Sequence, residues 1–134
     1  NLFKSYESDS IQFAIDPFDD GRDFTSFMLG RDAKGRDFLF KSANYTTPEL
    51  PENITRNGDI KSAQITRTER AGGYTVTVRI PLNEVYPLKG DQVQFGFGWI
   101  VNDNDGDGRK YMEWASGIGR GNSAAKFGVM KKDK

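Results

Sequence analysis

Apolar and polar residues alternate along this chain in short runs with a period of two, which marks half-buried strands. Ser10 to Asp16 sets the pattern, with Ile11, Phe13 and Ile15 on one face and Gln12, Ala14 and Asp16 on the other. Pro17 to Asp23 reads as a turn with Asp20-Gly21 at its tip, and Phe24 to Leu29 as the returning strand. Gly30 to Asp37 is a second charged turn, followed by a strand over Phe38 to Lys41. Gly21-Arg-Asp-Phe24 recurs as Gly35-Arg-Asp-Phe38, and two copies mark two successive hairpin entries, not a solenoid.

Ala43 to Asp59 has no periodicity and holds Pro48 and Pro51, so it reads as a long loop, with Asn57-Gly58 a turn at its end. Its N-x-T sequons at Asn44 and Asn53 read as chance matches. Lys61 to Arg67 and Tyr74 to Ile80 form a hairpin about Gly72-Gly73, with Ala63, Ile65 and Arg67 on one face of the first strand. Tyr74, Val76, Val78 and Ile80 share a face of the second. Pro81 to Val85 is one helical turn with Leu82 and Val85 inward. In the next strand Val93, Phe95, Phe97, Trp99 and Val101 share a face, a row predicted to sit at the centre of the core. Gly96 and Gly98 leave the other face bare enough for a backbone or a ligand to approach. Tyr111 to Ala115 resumes as a strand, Ser116 to Ser123 is a glycine-rich loop, and Ala125 to Met130 closes the domain.

The pattern predicts an all-β fold, and 134 residues suffice for a single domain over 1–134 with a real core. Nineteen basic and nineteen acidic residues leave no net field to favour nucleic acid or an anionic membrane. No apolar run is long enough for membrane insertion as a helix. With neither cysteine nor histidine, the chain can build no disulfide, no Ser-His-Asp triad and no His-ligated zinc or haem. It starts at Asn1 without Met, and we expect it to be part of something longer.

Between the aromatic strand and Tyr111 lies Asn102-Asp-Asn-Asp-Gly-Asp-Gly-Arg109. Asp103, Asp105 and Asp107 alternate and Gly108 follows, the opening of the calcium-loop pattern D-x-[DN]-x-[DN]-G. An EF-hand needs Glu at the twelfth position, which is Trp114 here, so the expectation is a calcium loop between two strands, with Asp103, Asp105 and Asp107 as ligands. The competing reading is a solvated turn. A second acidic cluster, Asp16, Asp19, Asp20 and Asp23, reads first as a solvated turn.

Asp9-Ser-Ile-Gln-Phe-Ala-Ile-Asp16, Gly72-Gly-Tyr-Thr-Val-Thr-Val-Arg-Ile-Pro-Leu82, Phe95-Gly-Phe-Gly98, the acidic loop, Glu113-Trp114 and Lys126-Phe-Gly128 occur in that order. Together they resemble the family 9 carbohydrate-binding modules of the DOMON-like superfamily, over about Asp9 to Val129. The resemblance implies an antiparallel β-sandwich, structural calcium, and a carbohydrate ligand: plant polysaccharide or oligosaccharide ends. It also implies a non-catalytic role for an attached secreted enzyme or a protein of the bacterial cell surface. Members of the family carry further strands before the segment that matches Asp9 to Asp16. The expectation is therefore an incomplete domain, or one completed by another segment or chain, with an open sheet edge and exposed apolar surface.

The better-known members hold sugar between two tryptophans, one of them early, whereas this chain has none before Trp99. The expected carbohydrate-binding residues are Trp114 and Tyr111 as stacking faces, with Arg109, Glu113 and Asn102 as polar partners. Trp114 reads equally as a cap on the core beneath the acidic loop, and Gly117 to Gly121 with Arg120 and Asn122 as a rim of the site. The alternative function is a structural or adhesive calcium-binding surface module without a sugar site. Catalysis is disfavoured because the densest carboxylates look committed to a metal and no strand presents an isolated acidic pair.

Overall fold

Strand β1 (Ser10–Asp16) lies in the middle of the larger of two sheets because its two flanks pair with opposite ends of the sequence. The computed structural model describes residues 9–44, 51–119 and 121–133. On one side β1 pairs antiparallel with β2 (Phe24–Arg31), which pairs with β3 (Asp37–Asn44) and through it with the short β4 (Asn57–Asp59). On the other side β1 pairs with β7 (Gln94–Asp103). The far edge of β7 is shared by β8 (Lys110–Trp114) and β9 (Gly128–Lys131). β5 (Gln64–Arg70) and β6 (Gly73–Arg79) form a separate two-stranded sheet. The fold is all-β, as the alternation predicts, and an antiparallel sandwich, as the family resemblance implies.

Both copies of the Gly-Arg-Asp-Phe repeat do the same work. Gly21 and Gly35 each adopt φ 75°, the left-handed conformation that glycine takes without steric cost, and each opens the way into the following strand. Asn57-Gly58 departs from its predicted role as a turn. Gly58 pairs with Lys41, which makes that segment an edge strand. The strand predicted from Lys61 begins only at Gln64. The closing segment divides into a 3-10 turn, Ala124–Lys126, and β9.

The core lies between the sheets, over β1 to β3. Phe27, Leu29, Leu39, Ile60 and Val85 are buried there, and Ile65, Val76, Val78 and Ile80 of the hairpin pack down on them. Burying each large apolar side chain in this way stabilises the fold by about 1.5–3 kcal/mol. The predicted centre, the β7 aromatic row, is only half-buried, and the deeply buried β7 side chains are Ile100 and Asn102 on the opposite face. The reason is unequal cover. The hairpin reaches β2 and β3 through Arg67–Asp37 (2.8 Å) and Arg31–Glu69 (3.8 Å), whereas the other face of β7 lies beneath the loop after β8.

Lys41 and Glu84 sit inside this core. Lys41 Nζ donates to Glu84 Oε2 at 3.0 Å, and Thr55 donates to the same carboxylate through its backbone N–H (3.1 Å) and its hydroxyl (3.0 Å). Burial pushes the Lys41 ammonium below its ordinary 10.5, and the facing carboxylate opposes the shift. This pair corrects the predicted turn over Pro81 to Val85. Val85 does face inward, but Leu82 is exposed and Glu84 takes the buried position.

The aromatic face continues past the cover of the hairpin. Phe27, Phe13, Phe97 and Trp114 form a row across four strands, with ring centroids 4.9, 6.4 and 6.1 Å apart. At its far end Met112 is 64% exposed, Trp114 43% and Met130 39%. Among the described residues β6 pairs with β5 alone. The smaller sheet therefore leaves the β7–β9 half of this face open, as an apolar strip.

Candidate functional site

The register of β7 and β8 decides which expected site residues meet. Asn102 faces Tyr111 and Ile100 faces Glu113, so Asn102, Tyr111 and Glu113 share the outer face, the one turned away from the hairpin. Arg109 joins them: its Nε donates to Asn102 Oδ1 at 2.7 Å and its guanidinium lies 5.0 Å from the centre of the Tyr111 ring. Trp114 is one residue past Glu113 and faces the other way. It is paired with Trp99, and its ring lies where a Cβ on Gly128 would have to stand. Four of the five expected carbohydrate-binding residues are brought together, and Trp114 is not among them.

The four are also engaged in holding the fold. Asn102 is buried, and its amide donates to Ser10 Oγ at 3.2 Å while accepting from Arg109. Glu113 Oε1 accepts the backbone N–H groups of Ile118 (2.8 Å) and Gly119 (3.0 Å), which ties the glycine-rich loop onto the sheet. Once tied, the loop fills the bare face of β7. Ile118 and Phe127 occupy the space beside Gly98, and Asp16 that beside Gly96. Both glycines thus admit the protein's own side chains. A polar hollow of about 280 Å³ remains between β8 and the loop, lined by Tyr111, Glu113, Ser116 and Lys126.

On the other side of the loop lies a second concavity, of about 160 Å³. Its floor is two cross-strand rows of the outer face. Phe40 pairs with Met28 and Met28 with Gln12; Ser42 pairs with Ser26 and Ser26 with Ala14. Ile118 and Asn122 close it from the loop. Apolar Phe40, Met28 and Ala14 lie there beside the neutral amide of Gln12 and the hydroxyls of Ser26 and Ser42, and that mixture is how sugar rings are held: flat contact with C–H faces beside hydrogen bonds to hydroxyls. Alternation alone assigns Gln12, Ser26 and Ser42 to the solvent side of a half-buried sheet. The one sequence signal for a site here is the glycine-rich loop as a rim, and Asn122 does line the cleft. Arg120 of that rim lies outside the described residues, as does Tyr45, which the sequence offers beside Tyr111 and Trp114 as a further aromatic face for a sugar.

The acidic loop is held by local bonds. Asn104 N–H donates to Asp9 Oδ1 (3.1 Å), Gly106 N–H to Asn104 Oδ1 (3.1 Å), and Lys110 Nζ to Asp107 Oδ2 (2.6 Å). Gly106 and Gly108 take φ 95° and 104°, so the sharp turn at Gly108 is present. Among the described residues no three carboxylates converge closely enough to hold a metal, and Asp103, Asp105 and Asp107 as placed do not form a cage. The other acidic cluster is a turn with a buried anchor. Asp16 accepts from the N–H groups of Phe18 (3.1 Å), Asp19 (2.9 Å) and Gly21 (2.8 Å).

A family model described as carbohydrate family 9 binding domain-like matches residues 3–133. No curated protein and no solved structure matches the chain.

Proposed function

From the premise that the chain belongs to the carbohydrate family 9 binding domain-like family, we propose a non-catalytic module that seats a sugar ring in the outer-face cleft. The observation that carries this reading is the cleft's construction: Met28, Phe40 and Ala14 side by side with Gln12, Ser26 and Ser42 across three strands, and Asn122 adding an amide from the loop. Its volume lies below the roughly 300–1,000 Å³ of drug-sized ligand sites, which suits one ring of an oligosaccharide or a polysaccharide end. In this reading Arg109, Asn102, Tyr111 and Glu113 set the shape of the loop that walls the cleft, and Trp114 takes no part in binding. The module serves an attached secreted enzyme or a bacterial surface protein.

Calorimetric titration with xylo-, cello- and galacto-oligosaccharides tests this. One series should bind saturably, Gln12→Ala should weaken it by up to about tenfold, and Trp114→Ser should leave the affinity of the folded protein within about twofold. Affinity lost with Trp114 and kept without Gln12 would move the site to the other face. Release of reducing sugar by the purified chain would overturn the non-catalytic role.

Calcium is the companion proposal. Oxygen donors alone, on a loop turned by two glycines, suit a hard cation, and binding would have to draw the three aspartates together. Calcium at a hundredfold above its Kd should then add roughly 2.7 kcal/mol to stability, and Asp105→Ala should remove that increment. An Asp105→Ala loss of equal size in calcium and in chelator would take the metal out of the account. A structural or adhesive surface module is the second reading, favoured by the open strip of Met112, Trp114 and Met130. A strand from another segment or chain, added beside β6, would cover that strip.

A further inference from the structure

A further cavity, of about 280 Å³, opens between the two sheets, where the start of β1 and the end of β2 meet the turn end of the β5–β6 hairpin. Two guanidinium groups line it. Arg67 is clamped side-on: its Nε (3.1 Å) and Nη2 (2.8 Å) donate to Asp37, and the group lies 4.0 Å over the Tyr74 ring. Arg31 donates through Nε to the Gly35 carbonyl (2.8 Å) and stands 3.6 Å from the same Asp37 oxygen that Arg67 reaches. One carboxylate outside the cavity therefore serves two cations inside it. The remaining counter-charge is Glu69. Its Oε1 is 3.8 Å from Arg31 Nη1, too far for a hydrogen bond, and its side chain is 65% exposed, so it leaves at little cost.

We propose that this cavity binds a uronic acid residue of an acidic polysaccharide, its carboxylate lying between Arg31 and Arg67 in the position that Glu69 half fills. A planar carboxylate matches the guanidinium fork, and the stack on Tyr74 holds the Arg67 plane ready for it. Asp9 supplies the other half of the recognition. Its Oδ1 accepts the Asn104 N–H (3.1 Å), and Oδ2 can accept a sugar hydroxyl at the rim. The volume suits one ring. This site shares no residue with the outer-face cleft and stands or falls without it.

The test is a titration, followed by amide chemical shifts, with methyl glycosides in matched pairs: glucuronate against glucose, and galacturonate against galactose. At least one uronate should bind about tenfold or more tightly than its neutral partner, as a charge-assisted contact requires. The largest shifts should fall at Arg31, Glu69 and Tyr74, and binding should weaken as salt is raised. Arg31→Gln should remove most of the preference. Glu69→Gln withdraws the competing carboxylate from an exposed position and should tighten uronate binding by roughly twofold to fivefold. Equal binding of uronate and neutral sugar overturns the assignment, as does unchanged or weaker uronate binding in Glu69→Gln. Shifts confined to Gln12, Met28 and Ser42 would put the ligand in the outer-face cleft, which overturns this site and leaves the sugar-binding reading standing. Sulfate bound as tightly as either uronate would make the cavity a general anion site and overturn its sugar class.

Discussion

Glu84→Ala should cost the domain about 3–5 kcal/mol, the usual loss when one member of a buried ion pair is removed. For a chain of this length that lowers the melting temperature by on the order of 10–20 °C. Lys41 is fully buried against Glu84, so deleting the carboxylate leaves an ammonium without that counter-charge beside an apolar core. It also strands the backbone N–H of Thr55, and with it the anchor of the segment that follows Pro51. The pair itself is a different matter from its halves. Replacing both members, Lys41→Met with Glu84→Leu, removes two desolvated charges together and should recover most of the loss, short of the Thr55 bonds. Urea unfolding of the single and double variants measures this, and a double variant as unstable as Glu84→Ala would contradict it. The pH dependence has a definite sign. Burial holds Lys41 below 10.5 in the folded state, so the unfolded chain binds that proton more tightly. Its contribution to stability therefore rises with pH between the lowered value and 10.5, and Lys41→Met should abolish this rise.

The same pair marks where the sequence stops being legible. Period-two alternation locates β1 from Ser10 to Asp16, because each residue's side is fixed by its neighbours. It cannot say what covers a face. Leu82 looks like the inward residue of its turn until Lys41, distant in sequence, is placed beneath Glu84. The β7 aromatics look like the centre of a core until the smaller sheet proves to cover only the β1–β3 half. In both cases a long-range contact decides a local preference.

The site divides along the same line. Alternation carried through Tyr111 to Ala115 by itself sets Trp114 opposite Tyr111 and Glu113, so their separation is legible in the strand pattern alone. The cleft is not. Gln12, Met28 and Phe40 lie on three strands, and only the register of β1, β2 and β3 makes them one surface. The loop closes that surface because Glu113 captures two of its N–H groups, a bond between a strand residue and a glycine-rich segment that no propensity encodes.

Asp16 ties the remaining parts together, and its substitution should reach from stability to binding. Its carboxylate is buried and accepts three backbone N–H groups of the turn that follows, with no cation among its partners in the described residues. Hydrogen bonds to a charged acceptor contribute about 1.5–3 kcal/mol each, and they are not additive here, so Asp16→Ala should cost roughly 3–5 kcal/mol. Asp16→Asn is the sharper experiment. It keeps the shape, yet whichever way the amide turns, an NH₂ group meets an N–H donor, either that of Gly21 or those of Phe18 and Asp19. A loss of more than about 2 kcal/mol in this near-isostere assigns the effect to the acceptor pattern. A loss under about 0.5 kcal/mol would mean the turn holds without it. Gly21, at the end of the turn, lies against Ala125, and Ala124 packs with Phe24 and Ala14 under the loop that walls the cleft. Loosening the turn should therefore weaken sugar binding as well, although Asp16 does not line the cleft. Affinity unchanged in a measurably destabilised Asp16→Asn would show that the wall is held by Glu113 alone.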